Sequence, residues 1–217
     1  MTESRNPSAR RFAAASLAAV LAVALGLGVL YGTRATPGKD AAAACPAAAA
    51  QRAAKLAPLA QGELAGLNVA KTPRAAISLA FNDGEGAKRT LADFHGRAVL
   101  VNLWATWCAP CRAEMPALDR LQAKLGGADF EVAAINVDTA RLERPRVFLD
   151  EIGVKSLARY ADPTGDSFEA LRLAGKALGL PTTLLIDKDG CELGVVAGPA
   201  KWDSGEAVRL IEAMKAL

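Results

Sequence analysis

One histidine, His95, stands in 217 residues, and it leaves the chain poor in the commonest metal ligand. A structural zinc site wants four Cys or His ligands arranged in close pairs. Only one close cysteine pair exists, Cys108 and Cys111, and no second pair accompanies it. Covalent haem attachment would need a histidine directly after that pair, and Arg112 stands there instead. Charge of one sign is also lacking: the net charge is +3, with basic residues scattered rather than blocked. Aromatics make up only 5% and are not interleaved with the basic residues, so a phosphate-tracking groove for nucleic acid is not expected. No segment repeats. Metal and nucleotide cofactors are therefore not expected, and His95, in the Phe94-His95-Gly96 turn, reads as a solvated loop residue.

What the chain does have is 52% hydrophobic residues and 23% charged ones, enough to bury the core of one domain of average size behind a short targeting region. The most informative stretch is Trp104-Ala105-Thr106-Trp107-Cys108-Ala109-Pro110-Cys111, directly after the apolar run at residues 98–103. A strand ending there and turning into a helix sets Cys108 at the helix N-terminus, where unpaired N–H groups and the helix dipole stabilise an anion. The thiolate is the form that attacks disulfides. Cys111, three residues on, shares the helical face and is placed to displace whatever Cys108 captures. A static disulfide is the plainer reading, but the tryptophans and the strand-to-helix junction favour a redox-active dithiol.

Residues 12–31 carry no charge, a run long enough to cross a bilayer. Arg5, Arg10 and Arg11 precede it and favour a cytoplasmic N-terminus. An uncleaved anchor at 12–31 after a cytoplasmic tail at 1–11 is the favoured reading. A cleaved signal peptide has a shorter apolar region with a small-residue site close behind it. A lipoprotein acylated at Cys45 would need that cysteine against the apolar run, and Arg34, Lys39 and Asp40 intervene. Each reading exports the domain.

Residues 32–69 read as a tether followed by a helical stretch interrupted by Pro58, and an α/β domain is expected over 70–217. Alternation predicts a strand at 77–81, a helix start at Thr90, and buried strands at 98–104 and 130–137. Helices are predicted over 112–125 with a kink at Pro116, over 145–152, over 166–178 and over 203–217. Residues 159–161 read as a short edge strand, and 182–186 with 191–197 as an antiparallel hairpin.

The run Trp107-Cys108-Ala109-Pro110-Cys111, the helix proline Pro116, the segment Gly179-Leu180-Pro181-Thr182 and the hairpin after it resemble the thioredoxin fold. They are most similar to its membrane-anchored, TlpA-like branch of thiol-disulfide reductases. The resemblance implies a central mixed sheet flanked by helices, with an inserted helix-strand element between Cys111 and Pro181. It also implies a cis Leu180-Pro181 bond facing the dithiol, so that a client chain adds as a short strand beside it. Thioredoxins proper carry a buried Asp where Asn102 stands, whereas TlpA-like reductases often carry a Glu where Glu114 stands. Glu114 is thereby expected to influence the cysteine titrations in place of the missing Asp; a solvated helix residue is the alternative.

Cys45 lies in the tether and Cys191 follows a turn, neither in a redox-type neighbourhood. In an oxidising compartment lone thiols tend to pair, and a structural Cys45–Cys191 disulfide is expected. An intermolecular bridge through Cys45, or two free thiols, are the alternatives.

The expected function is a membrane-anchored, periplasm-facing dithiol reductase: Cys108 attacks, Cys111 resolves, Trp107 and Pro181 shape the contact surface, and Pro110 tunes the redox poise. The resemblance implies a transmembrane thiol transporter of the DsbD or CcdA type as electron donor. Client proteins with oxidised cysteine pairs, in cytochrome c or oxidase copper-site biogenesis, are implied likewise. A dithiol oxidase and a copper-handling chaperone are the rivals, the latter needing a Met or His beside the pair, with Met115 the sole candidate.

Overall fold

The architecture is that of a computed structural model, which describes residues 45–217. The expected anchor at 12–31 and tail at 1–11 lie outside the described residues, among which no helix is long and apolar enough to cross a membrane.

Eight strands form one mixed sheet. They are β1 (Leu67–Ala75), β2 (Ala80–Asn82), β3 (Lys88–Thr90), β4 (Ala98–Trp104), β5 (Phe130–Asn136), β6 (Tyr160–Ala161), β7 (Thr182–Ile186) and β8 (Cys191–Ala197), in the spatial order β1-β8-β7-β4-β5-β6-β2-β3. The helices are α1 (Ala47–Leu56), α2 (Ala109–Leu125), α3 (Arg144–Glu151), α4 (Asp166–Leu173) and α5 (Gly205–Lys215). β4 lies in the middle of the sheet, and all seven of its residues are buried. It pairs parallel with β5 and antiparallel with β7. Parallel neighbours need a crossover, and α2 supplies it, burying Met115, Leu118, Leu121 and Leu125 against the sheet. α3 and β6 are the helix-strand insertion between β5 and α4, and the whole is the thioredoxin-like α/β fold expected.

Several elements differ from the sequence expectation. β1 is a strand where none was expected, and it runs across residue 70, so the chain from α1 onward packs with the sheet. Its alternation is masked by Pro73, tolerated because β1 is the sheet edge and its register to β8 shifts between Val69 and Arg74. The strand expected at 77–81 shrinks to β2, and it gains a hairpin partner in β3. β6 is not an edge, because β2 covers its outer side. The helix expected over 166–178 ends at Leu173, where Gly175 takes φ 69° and the Lys176 N–H turns back to the Leu171 carbonyl. The first helix stops at Leu56, and Pro58 enters a short 3-10 turn. α2 starts at Ala109 and passes through Pro116, whose missing N–H leaves the Arg112 carbonyl without its helical donor.

Candidate redox site

β4 ends at Trp104, and residues 105–108 turn the chain into α2. A Cys108 N–H bond to the Ala105 carbonyl (3.1 Å) closes this turn. Cys108 is the N-cap of α2, and its Sγ accepts from the Cys111 N–H at 3.3 Å. An acceptor at this position takes one of the first-turn donors that the helix leaves unpaired. Pro110 lies in that same turn, where a missing N–H costs nothing. Cys108 and Cys111 are joined as a disulfide, with Cα atoms 5.3 Å apart. Cys108 keeps 6% exposure and Cys111 none, so an incoming sulfur meets Cys108 first. Trp107 beside it is 71% exposed, whereas Trp104, the last residue of β4, is buried against Phe148.

Leu180-Pro181 is a cis peptide. β7 pairs Thr182 with Leu103, so Pro181 stands at the end of β4 from which the cysteine loop departs. The Pro181 carbonyl is taken by the Gly198 N–H at 2.9 Å, while among the described residues Leu180 makes no backbone hydrogen bond. Its free groups suit an added strand. Beside the cysteine loop, Thr106, Arg112, Glu143, Arg144, Val147 and Phe148 line a groove of about 400 Å³.

One turn along α2 from Cys111, Glu114 is 4% exposed. It accepts from Asn102 Nδ2 at 2.6 Å and from the Ala200 N–H at 3.2 Å. Burial pushes its carboxyl up to about 7, against the pull of these donors and the nearby Trp202 indole. Asn102 also donates to Thr183 Oγ1 at 2.9 Å. Glu114 is therefore no solvated helix residue, and it can take or release a proton near neutral pH.

A further polar group escaped the sequence reading. Asn136 Nδ2 and the Val137 N–H both reach the Trp104 carbonyl, and the Asp138 carboxylate accepts from the Thr106 N–H. Two buried polar residues flanking Val137 at the end of an apolar strand were the available signal.

Cys45 and Cys191 form a disulfide far from this site in the chain, with Cα atoms 6.0 Å apart. Arg52 on α1 pairs with Asp187 and Asp189 in the β7–β8 turn, so α1 is fastened to the hairpin twice. His95 is exposed, as expected. Met115 is fully buried in the core.

Residues 68–211 match the Redoxin family. The chain belongs to that family. Among its relatives, the thiol-disulfide oxidoreductase ResA of Bacillus thuringiensis subsp. konkukian is 33% identical over 121 residues, covering 54% of this chain and 64% of the relative. The thioredoxin-like protein YneN of Bacillus subtilis is 32% identical over 111 residues, 48% of this chain and 59% of its own length. The chain thus spans somewhat less than two thirds of these relatives. Among solved structures, a thiol:disulfide interchange protein DsbE of Chlorobium tepidum superposes with TM-score 0.56 at 30% identity, covering 65% of this chain and 95% of that one. A DsbF homologue of Corynebacterium diphtheriae (TM-score 0.55, 22% identity, 70% and 93% coverage) shares the fold. The likeness to TlpA-like thiol-disulfide oxidoreductases is borne out by the named ResA and DsbE relatives.

Proposed function

We propose that this Redoxin-family protein is a thiol-disulfide oxidoreductase that reduces cysteine pairs in client proteins. The observation that carries the reading is Cys108 at the N-cap of α2, disulfide-bonded to Cys111, with Glu114 buried one turn further along the same helix. In the reduced protein the Cys108 thiolate attacks one sulfur of a client disulfide. The client S–S bond breaks, and the leaving sulfur takes up a proton as the mixed disulfide forms. Cys111 then gives up its proton and attacks the Cys108 sulfur. The second client thiol leaves, and the pair is left oxidised, two electrons having passed to the client. Glu114, with a carboxyl poised near 7, is the group placed to receive the Cys111 proton.

The same reading sets the work outside the cytoplasmic membrane, with residues 12–31 as a single anchor and the domain in the periplasm. The uncharged run and the arginines before it support this, as does the Cys45–Cys191 disulfide. Such a reductase must be recharged, and a transmembrane thiol transporter of the DsbD or CcdA type fits that need. Clients awaiting cofactor insertion, in cytochrome c or oxidase copper-site assembly, are the proposed substrates.

A Cys111→Ser variant tests the chemistry. It is expected to hold a client on Cys108 as a mixed disulfide, released by dithiothreitol and identified by mass spectrometry. Failure to trap any protein in the exporting cell overturns the reading. A dithiol far more oxidising than thioredoxin's, measured against glutathione, would favour the oxidase instead.

A further inference from the structure

We propose that Asp138 is a positioning residue of the redox site, fixing the loop that presents Cys108 and, by its negative charge, holding the Cys108–Cys111 pair on the reducing side. Asp138 is 3% exposed and lies just past the end of β5. Both of its carboxylate oxygens accept from the Thr106 backbone N–H, at 3.2 and 3.1 Å, and Oδ2 also faces Asn136 Nδ2 at 3.3 Å. The Asp138 N–H returns to Asn136 Oδ1 at 3.0 Å. Asn136 Nδ2 and the Val137 N–H in turn hold the Trp104 carbonyl, at 3.4 and 2.9 Å. One three-residue segment therefore grips the last carbonyl of β4 and the second N–H of the cysteine loop. The path of the chain into Trp107 and Cys108 is set from both sides.

A carboxylate is a costly choice for this task. The Thr106 N–H needs only an acceptor, and an amide or hydroxyl oxygen would serve without burying a charge. The hydrogen-bond donors to the carboxylate, a backbone N–H and an amide, are uncharged. What the charge adds is a field at the cysteine loop. Thr106 and Cys108 are two residues apart, roughly 7 Å of chain at most, and the loop is folded back by the Cys108–Ala105 bond. The helix N-terminus favours a thiolate at Cys108, and the Asp138 carboxylate opposes it. A dithiol whose reduced form is less stabilised is the stronger reductant. Other charged groups surround the loop: Arg112, over the Phe148 ring, Glu114, and Glu143, Arg144 and Glu151 along the groove. They are common to wild type and variants and cancel in the comparison.

The inference rests on Cys108 being the attacking sulfur, and the experiment separates the two. Asp138→Asn removes the charge and gives up only the Oδ1 contact, because an amide oxygen in the Oδ2 position still accepts from both Thr106 and Asn136. The expected result is a Cys108 alkylation profile moved down by about one pH unit. Above the thiol's midpoint, at alkaline pH, the glutathione equilibrium should move about tenfold toward the dithiol. A profile and equilibrium that stay put, or move the other way, overturn the inference. Should the variant fail to fold, the carboxyl carbon-13 resonance of Asp138 in the wild type decides. It should move through the Cys108 titration in the reduced protein and not in the oxidised one; identical traces overturn the inference. A wild-type Cys108 that reacts no faster than a peptide cysteine removes the redox reading itself, whereas a reactive Cys108 indifferent to Asp138→Asn removes only the role of Asp138.

Discussion

Asn102 on β4 donates its side-chain N–H to Glu114 Oε1 on α2 at 2.6 Å, and both residues are sealed from solvent. The thioredoxin resemblance implies an acid on the strand. Here the strand carries the amide and the helix carries the acid, so the carboxyl stands on the other side of the same interface. No cation neutralises Glu114 among its described hydrogen-bond partners. A buried carboxylate held only by neutral donors resists ionisation, and its carboxyl stands at about 7 instead of 4.5.

That shift makes the stability of the oxidised protein fall with rising pH. Folded Glu114 binds its proton up to about pH 7, while in the unfolded chain the proton leaves near 4.5. Below the lower value both states are protonated and the contribution is fully present; it is lost as pH rises through 7. The loss amounts to about 3 kcal/mol. Denaturant titrations of wild type and Glu114→Gln between pH 4 and 9, both with the disulfides intact, check it. The wild type is expected to weaken across that window relative to the variant, and parallel curves reject the assignment.

Glu114→Gln should also alter the chemistry of the reduced pair. Glu114 and Cys111 are three residues apart on α2 and so share a face. With the carboxyl gone, the proton of Cys111 has no acceptor near neutral pH, and resolution of the mixed disulfide slows by about 10²-fold, a common magnitude for a lost general base. Thiol titration by rapid alkylation should lose its inflection near pH 7. A titration curve identical to wild type ends this role for Glu114.

The second disulfide should be separable from the first. Cys45–Cys191 closes a loop with a sequence separation of 146 residues, so its removal relaxes the unfolded chain considerably. Replacing both cysteines by alanine is expected to cost roughly 2–5 kcal/mol, while Arg52 still ties α1 to Asp187 and Asp189. The Cys108–Cys111 equilibrium with glutathione should not change. A shift there would mean that α1 reaches the redox site through the β7–β8 hairpin.

The strands that carry the site were legible because burial leaves a direct trace: β4 is an apolar run broken only by Asn102, β5 is apolar apart from Glu131 and Asn136, and β7–β8 is marked by its Asp-Gly turn. The cysteine pair was legible because its spacing and flanking tryptophans are local. β1 was not, since an edge strand with Pro73 and a bulge carries neither an apolar run nor clean alternation. Asn136 and Asp138 were missed for a different reason. Their partners, Trp104 and Thr106, lie about thirty residues away in sequence, and a buried polar pair looks like a turn until the parallel neighbour is known. Glu114 is intermediate: its spacing from Cys111 is readable in the chain, but its burial depends on Ala200 and Trp202 arriving from beyond β8.

Two tryptophans bracket the cysteine loop, and their substitution should separate packing from recognition. Trp104 is 1% exposed and sits against Phe148, so Trp104→Ala opens a cavity and should cost about 3–5 kcal/mol of stability. Trp107 is 71% exposed and supports little of the core, so Trp107→Ala should stay within about 0.5 kcal/mol of wild type. An exposed aromatic beside a reactive sulfur has value only when a partner covers it, as aromatic anchors in interfaces do. Trp107→Ala is therefore expected to raise KM for a protein client about tenfold, with kcat and the reaction with a small disulfide such as oxidised glutathione nearly unchanged. Equal losses toward protein and small-molecule disulfides would place Trp107 in the chemistry of Cys108 instead of in client contact.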